Sequence, residues 1–78
     1  MTDLLTRAFV GTQFECRRDD LLAEGWSIMF ERYDQIGGFC KLRHRNGKII
    51  TLSCDYGTGT ITQKTNGKVT HVQTVCKS

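Results

Sequence analysis

Two Asn-Gly dipeptides, Asn46-Gly47 and Asn66-Gly67, constrain the fold of this chain more than any other feature. Asn and Gly tolerate the positive φ angles of tight hairpin turns, and each pair lies between segments in which apolar and polar residues alternate. This pattern predicts two antiparallel hairpins. A chain of 78 residues leaves room around them for one domain with one hydrophobic core.

The side chains around Asn46-Gly47 predict the type of turn. A two-residue turn would pair Arg45 with Lys48 and mix cationic and apolar side chains on one face. A three-residue turn with Gly47 in a left-handed conformation pairs His44 with Lys48 and separates the two kinds of side chain, so we expect this bulged turn. The apolar face would then hold Cys40, Leu42, Ile50, Leu52 and Cys54, and the opposite face Phe39, Lys41, Arg43, Ile49, Thr51 and Ser53.

The N-terminal part of the chain has helical character. Residues 17–24 are predicted to form a short helix, because acidic residues suit its first turn and Gly25 suits a left-handed C-cap. Apolar residues at helical spacing indicate another helix over residues 2–10. Residues 8–16 fit either a continuation of that helix or a strand.

After Gly25 the pattern changes to a period of two residues, which predicts a strand with Trp26, Ile28 and Phe30 on its inner face. The predicted fold is α+β: an antiparallel sheet of four to five strands with one or two short helices packed on one face. Residues 1–78 form a single domain in this prediction. The predicted core comprises Leu21, Leu22, Trp26, Ile28, Phe30, Leu42, Ile50 and Leu52, with the cysteines filling gaps.

Charge is distributed unevenly, with −3 over residues 1–38 and +6 over residues 39–78. Three cations alternate along one predicted strand, with an aromatic residue at its start and a lysine beyond its turn. This face suits a phosphate backbone with a base stacked on the ring, and it suits an acidic protein surface equally. The same charges would also keep a solvated strand soluble. The predicted partner-binding residues are Phe39, Lys41, Arg43, Arg45 and Lys48.

The histidines and cysteines do not form a recognisable site. Cys40 and His44 are four residues apart on a strand, roughly 13 Å, which is too far to share one zinc ion. His71 and Cys76 would face opposite sides of a strand. No catalytic signature surrounds either histidine, so we predict no metal, no cofactor and no catalytic residue.

The chain contains no apolar run as long as a signal sequence or a membrane span, so we expect a cytoplasmic protein without membrane contact. Free thiols are the default in that compartment. Disulfides are the alternative, with Cys40 opposite Cys54 after a further shift of the hairpin and Cys16 paired with Cys76.

The order of elements over residues 20–54 is helix, Gly25-Trp26, strand, Gly37-Gly38, strand, Asn46-Gly47 and strand. This order resembles the toxin component of HicA-type toxin–antitoxin pairs, a small double-stranded-RNA-binding-like fold that cleaves mRNA. The family has a Gly-Ser-His step whose histidine is catalytic, whereas the corresponding positions here are Gly38-Phe39-Cys40. A threonine-rich hairpin also replaces the family's closing helix, so the resemblance implies no activity for this chain.

These observations favour a small non-catalytic binding protein that occupies a surface of a larger macromolecular partner. The expected partner is a protein or ribonucleoprotein complex with an acidic surface, as for inhibitors and adaptors of phages and mobile elements. The thinly apolar C-terminal hairpin could add a strand to a partner or form a homodimer. A nucleic-acid-binding module for RNA or DNA, using the basic face, is the alternative. A minimal toxin-type ribonuclease using His44 and His71 is the third hypothesis.

Overall fold

The computed structural model describes residues 4–74, with side chains from residue 8 onward. Within this part, one helix is followed by a five-stranded antiparallel sheet in the order β1-β2-β3-β4-β5, and the helix packs on β2, β3 and β4. The predicted α+β class is confirmed. The elements are α1 (Leu4–Ala23), β1 (Ser27–Tyr33), β2 (Gly37–Arg43), β3 (Ile49–Asp55), β4 (Thr60–Thr65) and β5 (Lys68–Thr74).

A single helix replaces the two short helices that were allowed by the sequence pattern. Val10, Phe14 and Leu21 are buried along one side of α1, at spacings of four and seven residues that only a helix brings to one face. Gly25 ends the helix with φ at 101°, as predicted. The Trp26 amide donates to the Leu21 carbonyl and the Gly25 amide to the Leu22 carbonyl, the two bonds of a Schellman cap.

The β2–β3 hairpin confirms the bulged turn. Arg43 pairs with Ile49, the His44 amide donates to the Lys48 carbonyl over 2.9 Å, and Gly47 has φ at 92°. The register places the predicted apolar residues of both strands under α1. It places Phe39, Lys41 and Arg43 on the opposite side of the sheet.

The buried core lies between α1 and the central strands. Of the predicted core residues, Leu21, Leu42, Ile50 and Leu52 are buried together with the thiols of β2 and β3, and Trp26 packs against them half-buried. Leu22, Ile28 and Phe30 are exposed, so these three predictions are wrong. The core residues that were not predicted are Val10, Phe14, Tyr56 and Ile61.

A β-bulge in β1 explains why Phe30 is outside the core. Ile28 pairs with Leu42 and Phe30 pairs with Lys41, so Met29 is an extra residue without a partner of its own on β2. The bulge reverses the inward and outward order of every later position in the strand. Phe30 and Arg32, which share one side of β1 after the bulge, therefore lie on the face away from α1.

The bulge turns Glu31 and Tyr33 toward the helix. Arg18 of α1 donates to Glu31 over 2.7 Å and to the Tyr33 hydroxyl over 3.2 Å. The Tyr33 ring meets the Phe14 ring edge-on at 5.9 Å. Its ring also lies over Gly38, where an added Cβ would be only 3.0 Å from it. These contacts tie the edge strand β1 to the helix.

The second hairpin has the tight turn predicted at Asn66-Gly67, and both residues have positive φ, 52° and 86°. Its first strand, β4, buries Ile61 and Gln63 beneath α1. Its second strand, β5, forms the sheet edge and is exposed along most of its length. No helix within residues 4–74 combines the length and apolar character needed to cross a membrane.

Candidate binding surface on the open sheet face

The face of the sheet opposite α1 is covered by no other element among residues 4–74, and we call it the outer face. Strand register and burial assign its members. They are Ser27, Met29, Phe30, Arg32, Phe39, Lys41, Arg43, Ile49, Thr51, Ser53, Thr60, Thr62, Lys64, Val69, Val72 and Thr74. The outer face thus contains three of the five predicted partner-binding residues, Phe39, Lys41 and Arg43.

Two phenyl rings lie next to each other on the outer face. Phe30 of β1 and Phe39 of β2 have ring centroids 6.0 Å apart, with an angle of 56° between the ring planes. Phe30 is 50% exposed, and Phe39 is half-buried beside it. Large aromatic side chains are normally placed inside a domain, so an exposed pair on an open sheet offers a stacking surface to a ligand.

Cations surround this aromatic pair. Arg32 pairs across the strands with Phe39, and Lys41 pairs with Phe30. Arg43 follows on the same face of β2, roughly 7 Å beyond Lys41 at the usual rise per residue. Lys64 adds a fourth positive charge from β4. None of the four has an ion-pair partner among the described residues.

Carboxylates are nearly absent from the outer face. Only Asp55, at the end of β3, shares its direction within the described strands, and its carboxylate accepts bonds from the Gly57 and Thr58 amides at 2.7 and 3.3 Å. That carboxylate is held at the β3–β4 turn. The Asp34 carboxylate lies at the edge of this face, in the β1–β2 turn near Arg32. The outer face therefore carries an excess of positive charge, which attracts anions.

Two shallow depressions lie at the two ends of strands β1 and β2. One, of about 300 Å³, is lined by Arg32, Phe39 and the β1–β2 turn. The other, of about 390 Å³, is lined by Met29, Arg43 and Arg45 at the opposite end of the same strands. Both depressions have arginine in their walls, so a chain crossing the aromatic pair would meet a guanidinium at each end.

The last two predicted residues, Arg45 and Lys48, lie in the β2–β3 turn rather than on a strand. Both are exposed, and Arg45 extends the basic region beyond the end of β2. Between them, the Asn46 side chain accepts a bond from the Lys48 amide over 3.0 Å. The five predicted residues therefore lie along one stretch of the molecule, with Arg45 and Lys48 at its end.

Two other arginines, Arg17 and Arg18, point away from the outer face. Arg17 donates through Nε and Nη2 to the Gln63 side chain, at 3.0 and 2.7 Å, on the helix side of the sheet. Arg18 is engaged with Glu31 and Asp19 on the same side, and its hydrogen bond to Glu31 raises its pKa. Both arginines connect α1 to the sheet.

The histidines do not converge. His44 packs against the Trp26 ring at a centroid distance of 5.1 Å, and its Nδ1 accepts a bond from the Asn46 amide. His71 is on β5, three strand positions from β2, roughly 14 Å across the sheet. The structure therefore does not bring together the histidine pair that a ribonuclease mechanism would use.

The described cysteines are free thiols. Cys40 lies opposite Leu52, and Cys54 lies opposite Gly38, so the proposed Cys40–Cys54 disulfide is wrong because the hairpin does not make the extra shift. Burial raises the pKa of both thiols. Cys16 is exposed on α1, and its suggested partner Cys76 lies outside the described residues. Among the described residues, no three Cys, His, Asp or Glu side chains are grouped as metal ligands would be.

Phe30 is a surface residue that the sequence pattern missed, since its alternation with Ile28 indicated the inner face. The unpaired Met29 moves Phe30 outward, and Arg32 with it. Phe39, Lys41 and Arg43 were correctly placed because the β2–β3 turn fixes their register.

Comparisons with protein-family models, curated proteins and solved structures give no match to this chain.

Proposed function

We propose that this protein is a non-catalytic module that binds single-stranded nucleic acid on its outer face. The observation that carries the proposal is the Phe30–Phe39 pair, which lies on an open sheet face with Phe30 exposed and with cations around it that have no ion-pair partner among the described residues. Bases stack on aromatic rings of this kind, while lysine and arginine neutralise the phosphates.

The charges favour an anionic partner with a repeating backbone. Arg32, Lys41, Arg43 and Lys64 are spread over β1, β2 and β4 rather than gathered at one point. A compact anion would use a few of them at most. A phosphate chain crossing the strands would meet several in succession, with the arginines of the two depressions at its ends.

The aromatic pair favours unpaired bases over a duplex or an acidic protein. The bases of a duplex are already stacked on one another, so they offer no free ring face to the two phenyl rings. An acidic protein surface would satisfy the cations, but it would need an apolar group among its carboxylates to cover the two phenyl rings. Single strands satisfy both features at once.

The test is a fluorescence anisotropy titration with labelled single-stranded RNA, single-stranded DNA and a duplex of the same sequence. Four phosphate contacts on a single strand predict a log–log salt slope of about −3, so a fourfold rise in salt weakens binding about fiftyfold. The variant Arg43→Glu should bind more weakly than the wild type, with a slope smaller by about 0.7 or more.

Lys68→Glu is the matched control, since it makes the same change of charge at the start of β5 and off the outer face. It should affect affinity far less than Arg43→Glu. The proposal fails if no single strand binds at low salt, or if the duplex binds as tightly as the single strand. Equal losses in the two variants would also refute it, because net charge and not the outer face would then control binding.

A further inference from the structure

The edge strand β5 has no partner on its far side among the described residues. It pairs only with β4, and α1 contacts β2, β3 and β4 but makes no such packing with β5. Every residue of β5 except the half-buried Gln73 is exposed. An edge of this kind presents unpaired amide and carbonyl groups that can extend the sheet with another strand.

Natural sheets usually protect their edges with charge or proline, and β5 lacks both along most of its length. From Val69 to Thr74 the sequence contains no Lys, Arg, Asp, Glu or Pro and is rich in β-branched residues. Val69 and Val72 are each 56% exposed, and both lie on the outer face. The strand therefore has pairing capacity and an apolar side, and nothing within it opposes association.

We propose that β5 pairs antiparallel with β5 of a second copy of this chain, so that the two sheets become continuous across a two-fold axis. This inference goes beyond the proposed function, since it concerns self-association and needs no ligand. Each copy has a net charge of +3, so two copies repel one another where their basic regions meet. The uncharged segment from Val69 to Thr74 lets them meet without opposing like charges.

The sequence of β5 suits pairing with itself. With the axis between Thr70 and His71, Val69 of each copy lies opposite Val72 of the other, and both are outer-face residues. Thr70 then lies opposite His71. Thr70 is the extra residue of a β-bulge, between His71, which pairs with Gln63, and Val69, which pairs with Lys64. Its hydroxyl lies 3.0 Å from the Thr65 hydroxyl, on the helix side of the sheet. Side chains that face each other across the axis thus lie on the same face of the joined sheet.

The experiment is sedimentation velocity of the full chain over a range of concentrations. We expect a monomer–dimer equilibrium for the wild type. Val72→Asp should raise the dimer dissociation constant about tenfold or more, since a carboxylate would be set against Val69 of the other copy. Val72→Thr keeps the shape and strand preference of the residue without the charge, so it should stay close to the wild type.

A compensating variant tests the register itself. In Val69→Lys with Val72→Asp, each lysine would lie opposite an aspartate of the other copy, and dimerisation should be restored relative to Val72→Asp. Circular dichroism checks that every variant is folded. A monomeric wild type at all concentrations, an unchanged dimer in Val72→Asp, or no restoration in the double variant would each overturn the proposed pairing.

Discussion

Replacing Phe30 with alanine separates stacking from charge on the outer face. Phe30 is 50% exposed, so the fold loses only part of its burial. Complete burial of a phenylalanine contributes about 1.5–3 kcal/mol, and we therefore expect a loss of roughly 1 kcal/mol of unfolding free energy. Loss of one base–aromatic stack should weaken binding by about 1–3 kcal/mol, which is about 5- to 150-fold in affinity.

Phe9 provides a matched control on the opposite side of the molecule. It is 53% exposed on α1, so Phe9→Ala removes the same side chain from a similarly exposed position. Urea unfolding should give similar stability losses for the two variants. Anisotropy titrations with a single-stranded oligonucleotide should show weaker binding for Phe30→Ala alone.

Salt dependence adds a second reading of the same experiment. Phe30→Ala removes no charge, so its plot of log affinity against log salt should run parallel to that of the wild type at a lower level. Affinity unchanged in Phe30→Ala, or reduced equally in Phe9→Ala, would refute stacking on the outer face. A changed slope would show that the substitution had disturbed the cations instead.

Three further predictions concern the fold. An added Cβ at Gly37 would overlap the Cys54 carbonyl oxygen, so Gly37→Ala should destabilise the protein by about 2–3 kcal/mol in urea unfolding. Gly11 has open space around it, so Gly11→Ala should stabilise α1 by up to about 1 kcal/mol. Burial and the Glu31 carboxylate raise the pKa of Tyr33 from 10.0 to about 12. The folded state thus holds the phenolic proton of Tyr33 more tightly than the unfolded chain does. The free energy of unfolding should therefore fall as pH rises from 10.0 toward 12. Absorbance titration, with Tyr33→Phe to identify the signal, should show a lower pKa in Glu31→Gln.

The β2–β3 hairpin was predictable because two independent constraints agree on its register. Asn46-Gly47 limits the turn to a few geometries, and only one of them separates the cations from the apolar side chains. Three residues of the candidate surface, Phe39, Lys41 and Arg43, follow directly from that register. The Gly25 cap was predictable for a similar local reason, since a positive φ at the end of a helix favours glycine.

The single long helix was harder to predict because residues 9–12 within it are all weak helix formers. Residues 8–16 include valine, glycine, threonine and phenylalanine, whose local preferences do not decide between helix and strand. The decision comes from packing: Val10 and Phe14 are both fully buried when the segment is helical. Burial in the core therefore decides that this segment is helical, and no residue pattern within the segment predicts it.

The β1 bulge links the stability of the fold to the surface proposed for binding. If Met29 paired regularly with Lys41, the strand would have no bulge, and its alternation would place Phe30 and Arg32 beneath α1. Arg32 would then lie near the positive charge of Arg18. With the bulge, Glu31 takes the inner position and bonds Arg18 over 2.7 Å. The ion pair that α1 requires on its side of β1 is thus formed by the same shift that exposes Phe30 and Arg32. The ion pair accounts for the bulge but not for a phenylalanine at position 30, since a polar residue there would leave the ion pair unchanged. The exposed Phe30 ring adds apolar surface beside Phe39, and the proposed stacking of a base would use that surface.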